Sequence, residues 1–110
     1  MTEEKISLEA RKRILSATFR CILDFTPFRR EELKIQAVVG VDEDSAEVFV
    51  YTPPDKIRWP GEVRVMILPD GRCRIFVEGD FFPADEIKQE KLETELKKVE
   101  RHLNLNGDSG

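Results

Sequence analysis

The sequence is poor in the residues that most catalytic and metal-binding motifs require. It has one histidine and two cysteines. Neither cysteine has a Cys-x-x-Cys partner or a histidine beside it, so the spacings of a zinc site and of a disulfide framework are both missing. Cys21 and Cys73 read instead as small buried hydrophobes. No GxxxxGK[ST], GxGxxG, HExxH or GxSxG pattern occurs, which removes the usual signatures of nucleotide binding, zinc proteolysis and nucleophile-elbow hydrolysis. His102 lies in a charged segment beside Leu103. It reads as a helix-end cation or bystander, because no nucleophile or orienting group can be paired with it.

Long apolar runs are also absent. The longest, residues 37–41 and 65–68, fall far short of the roughly 20 residues that cross a bilayer. Charges crowd the first residues, where a signal peptide would need its apolar stretch, so a cytoplasmic location is expected. The acidic run Asp42, Glu43 and Asp44 lacks the glycine and the terminal glutamate of an EF-hand loop and reads as a solvated turn. Asp80 and Asp85 flank Phe81-Phe82-Pro83 and read as helix-entry residues. No metal or other cofactor is expected.

What remains is a chain of 110 residues, 40% hydrophobic and 36% charged, with a net charge of -4. That length suits one domain, assigned to residues 1–106 with 107–110 as a disordered tail. Residues 7–25 place Ala10, Ile14, Leu15, Ala17, Cys21 and Ile22 on a helical stripe. Ser7 is the expected N-cap and Thr26-Pro27 the stop. After a turn at 27–32 the period becomes two. Leu33, Ile35, Ala37, Val39 and Val41 lead into a turn at 42–45, and Ala46, Val48, Val50 and Thr52 follow. Matching these aliphatic sets sets Ala37 opposite Val50 and Gln36 opposite Tyr51. The second hairpin pairs Val63, Val65 and Ile67 with Val77, Ile75 and Cys73 around Pro69-Asp70-Gly71, a type I turn with a G1 bulge. Pro83 opens a second helix to about Leu103, with Leu92, Leu96, Val99 and Leu103 as its stripe. Two heptads are too few for a coiled coil, so this helix should lie on the sheet. The fold expected is therefore α+β: an N-terminal helix, a four-stranded antiparallel sheet of two hairpins and a C-terminal helix, αββββα.

In that register the second sheet face combines Phe49, Tyr51, Met66 and Phe76 with Arg64 and Arg74. Aromatics, methionine and arginine are types enriched in interfaces. Three readings compete: a second core layer under a helix, a protein interface such as a two-fold homodimer, and a platform for single-stranded nucleic acid. The acidic balance opposes the last, although the acidity falls outside this face. The loop from Pro53 to Gly61 adds Trp59, the only tryptophan, which either anchors a partner or folds back on the core. The function expected is a non-catalytic protein-binding or assembly module that does not use a membrane. Its binding residues are Phe49, Tyr51, Trp59, Arg64, Met66, Arg74 and Phe76. Nucleic-acid binding through the same face is the alternative, and an unrecognised small enzyme is third.

Overall fold

The Ala10 N–H donates to the Ser7 hydroxyl (3.1 Å) and starts α1, Leu8–Phe25, which ends at the extended Thr26. In the computed structural model, which describes residues 6–38 and 46–106, α1 buries Ile14, Thr18, Cys21 and Ile22. Thr18 is a polar member of the stripe whose hydroxyl donates to the Ile14 carbonyl at 2.8 Å, which makes its burial tolerable. A single 3-10 turn over Arg30–Glu32 leads to β1, Lys34–Val38. Strands β2 (Glu47–Thr52), β3 (Glu62–Ile67) and β4 (Cys73–Glu78) complete an antiparallel sheet in the order β1-β2-β3-β4. Helix α2, Glu86–Asn106, closes the chain. It begins at Glu86 rather than Pro83 because Asp85, not Pro83, supplies the cap: its carboxylate accepts the Lys88 N–H at 3.1 Å. The turn at 42–45 and the tail at 107–110 lie outside the described residues.

Both helices share one core with a single face of the sheet. Ile14, Cys21 and Ile22 of α1, and Leu92, Leu96 and Leu103 of α2, pack with Val63, Val65, Ile67, Cys73 and Ile75. The second hairpin has the expected register, with Ile67 opposite Cys73 and Val65 opposite Ile75. Its turn also forms as expected: the Gly71 N–H donates to the Leu68 carbonyl at 2.9 Å, with Gly71 at φ 94°.

The first hairpin is displaced by one residue. Ala37 faces Phe49 and Gln36 faces Val50, where matching aliphatic faces had set Ala37 against Val50 and Gln36 against Tyr51. A slip of one turns a strand over. In β2, Phe49 and Tyr51 therefore point to the helices and Val48 and Val50 point away. Both faces of β2 are apolar, so alternation does not choose between them, and the larger side chains gain more by burial. Tyr51 is 0% exposed, its ring stacks on Phe19 with centroids 5.8 Å apart, and its hydroxyl donates to the Leu15 carbonyl at 2.7 Å. Burial pushes the Tyr51 phenol pKa up.

At the start of β2, Arg11 of α1 donates to both Glu47 carboxylate oxygens at 2.8 Å. This bond holds the Glu47 carboxyl below the usual glutamate range against the opposing effect of partial burial. A depressed folded-state value means that the pair stabilises fully well above the ordinary glutamate pKa of about 4.3, and that this is lost as pH falls through the folded value. Because both side chains are about one-third exposed, the contribution is at most about 1 kcal/mol. Glu47→Gln should therefore unfold at lower urea than the unmutated chain at neutral pH. The gap should shrink as pH falls below the ordinary glutamate range; a gap that stays the same size down to the acid limit of folding would contradict the pairing.

Candidate functional site on the uncovered side of the sheet

The face turned away from the helices carries two cross-strand rows. One runs Gln36, Val50, Arg64, Phe76 and the other Val38, Val48, Met66, Arg74, each residue directly opposite the next, and at one end the same face adds the pairs Lys34 with Thr52 and Glu62 with Glu78. None of these side chains belongs to the core beneath the helices. Val48 and Val50 are nonetheless buried, because the neighbouring methionine and arginine stems lie beside them on the pleated surface. Arg64 donates to the Glu62 carboxylate at 2.9 and 3.1 Å. Burial of Glu62 works toward a higher carboxyl pKa, but the hydrogen bonds from Arg64 and Lys56 outweigh it and keep the group ionised to lower pH. Arg74 is exposed and has no ion pair among the described residues.

Of the seven residues singled out from sequence, this face gathers Arg64, Met66, Arg74 and Phe76. It does not gather Phe49 and Tyr51, which the register of β2 places on the helix side. Trp59 lies at one end of the core, edge-on to Phe28 (5.3 Å) and to Phe82 (5.6 Å), and is half-buried there. The aromatic content of the face is thus a single ring, Phe76, and its apolar content is mainly aliphatic.

The two edges of the sheet are treated differently. At Cys73 and Ile75 of β4, side chains of α2 bond backbone groups that a fifth strand would otherwise take. The Cys73 N–H donates to the Asn104 carboxamide oxygen at 2.8 Å while the Asn104 amide returns a bond to the Cys73 carbonyl at 3.0 Å. The Ile75 N–H donates to Glu100 at 2.7 Å. Beyond the strand, the Phe81 and Phe82 N–H groups share the Gln89 oxygen at 2.7 and 3.0 Å. At the other edge, every residue of β1 is exposed. Ile35 and Val38, at 47% and 38% exposure, are the only large hydrophobics among the described residues of the sheet left so open. None of the binding residues expected from the sequence lies in this strand. Its signal was the lack of any proline and the presence of a single charge in Lys34–Val38, where edge strands usually carry more such deterrents.

A separate concavity of about 380 Å³ lies between the end of α1, the Trp59 loop and the start of α2. Phe25, Trp59 and Phe82 form its apolar walls. Lys88 and Lys91 place their ammonium groups 5.9 Å from the Phe82 and Phe25 rings, with Asp24 and Asp85 beside them. The two thiols lie elsewhere, buried and unpaired, with pKa values pushed up to about 11, chiefly by burial. Among the described residues no cluster of three or more histidine, cysteine or acidic side chains could hold a metal ion, and no helix is long and apolar enough to cross a membrane. Compared with family models, curated proteins and solved structures, the chain shows no significant match.

Proposed function

We propose that the protein is a non-catalytic binding or assembly module that works through the uncovered side of its sheet, most simply as a homodimer. The observation that carries this reading is the placement of both helices on one face, which among the described residues leaves Met66, Phe76, Arg64, Arg74 and the whole of β1 without a packing layer of their own. Methionine, arginine and aromatic side chains together suit a protein partner better than solvent does. The buried cysteines support a non-catalytic role, since thiols held near pKa 11 are almost wholly protonated at neutral pH and are poor nucleophiles. The nucleic-acid alternative loses support from the turned-over β2, because base stacking needs several exposed rings and only Phe76 remains on the face.

The expected result is a dimer mass by light scattering at micromolar concentration. A monomer across that range would overturn the homodimer form of the proposal.

A further inference from the structure

We infer that β1 is the pairing edge for a second copy of this chain, and that the two sheets join side by side into one antiparallel sheet of eight strands. The inference rests on the assembly reading above and deepens it by naming the partner and the surface.

A free strand edge presents a row of backbone N–H and C=O groups, and the partner that satisfies such a row is another extended strand. Among the described residues the sheet has one edge of this kind. The β4 edge is occupied by Asn104 and Glu100, whereas all five residues of β1 are exposed. Ile35 and Ala37 lie on the helix side of the sheet, opposite Tyr51 and Phe49, yet both are exposed there. Among the described residues, nothing covers the strand on either face or along its edge.

A second copy fits because the strand is self-complementary. A two-fold axis through Gln36, the middle of Lys34–Val38, sets each Gln36 against its partner's, each Ile35 against the partner's Ala37, and each Lys34 against the partner's Val38. Combined with the observed pairing of β1 to β2, this creates two unbroken apolar rows on the helix side. Each runs Tyr51, Ile35, then Ala37 of the partner subunit and Phe49 of the partner subunit. On the other face the Gln36 amides can hydrogen-bond across the axis, flanked by Val50 from each copy. No like charges meet directly, and opposed like charges are what would forbid the pairing.

The test exploits the axis. Gln36 is exposed, so substitution there should leave each protomer folded, as far-UV circular dichroism would verify. Gln36→Lys and Gln36→Glu each place like charges face to face across the axis, and each variant alone should show half the mass of the unmutated dimer. Mixed in equal amounts they should recombine into a heterodimer, which only pairing of one Gln36 position with the other explains. Ile87→Glu, at a position of α2 that is 79% exposed and outside the proposed surface, should leave the dimer intact. If both Gln36 variants remain dimeric while Met66→Glu with Phe76→Glu gives a monomer, the edge inference fails and assembly through the open face stands. If the unmutated chain is itself a monomer, the edge inference and the homodimer reading fail together. If the two Gln36 variants are monomers that do not recombine, pairing centred on Gln36 is overturned.

Discussion

Gln89→Ala should lower the free energy of unfolding by about 2–6 kcal/mol, a large share of the 5–15 kcal/mol available to a domain of this kind. The reason is local. The Gln89 side-chain oxygen accepts the N–H groups of both Phe81 and Phe82, at 2.7 and 3.0 Å. Its amide donates to the Gly79 carbonyl at 3.4 Å and to Glu93 at 2.6 Å. Phe81 and Phe82 are buried, so removal of the acceptor strands two backbone donors away from water, each at about 1–3 kcal/mol. Gln89→Met separates this effect from packing, because it keeps the length of the side chain and removes the bonds. If the hydrogen bonds dominate, Met should be nearly as destabilising as Ala in urea unfolding; a methionine variant as stable as the unmutated chain would refute that account.

Phe81→Ala should cost about 3–5 kcal/mol. Phe81 is 0% exposed and lies 6.1 Å, centroid to centroid, from Phe28, which is itself edge-on to Trp59. It also lies against Gly61, where an added Cβ would come within 2.8 Å of the Phe81 ring and backbone. The residue is therefore clamped between an aromatic cluster and a backbone that approaches closely only because position 61 is glycine. Truncation would leave a void that neither wall can fill. Urea unfolding should show a lower midpoint at an unchanged slope, and Trp59 fluorescence should report the loosening of the same cluster. A loss below about 1 kcal/mol would mean that the cluster collapses onto the space.

The parts of the fold that local chemistry decides were legible in the sequence. Ser7, Thr26 and Pro27 bound α1 because caps and proline act within a few residues, and the Pro69-Asp70-Gly71 turn set the register of the second hairpin for the same reason. The first hairpin offered no such anchor. Val48 and Val50 alternate with Phe49 and Tyr51 on a strand that is apolar on both sides, and the choice between them was made by α1, which is distant in sequence. The candidate site divides along that line. Arg64, Met66, Arg74 and Phe76 were placed on one face by the well-determined hairpin, whereas Phe49 and Tyr51 were lost with the other. The roles of Gln89, Glu100 and Asn104 were not legible at all. They look like ordinary polar positions of a charged helix until the helix is laid against a strand edge.

If β1 pairs as proposed, that arrangement sets the valence of the molecule. Asn104 presents its carboxamide to Cys73 as a peptide group would, donating and accepting at once, so the sheet is terminated at β4 by a side chain imitating backbone. A chain with one live edge can form a closed pair and nothing longer, while a chain with two could add copies indefinitely, β4 of one onto β1 of the next. On this view the polar stripe of α2 is a stop on growth, and its loss would turn a self-limiting dimer into the start of a filament.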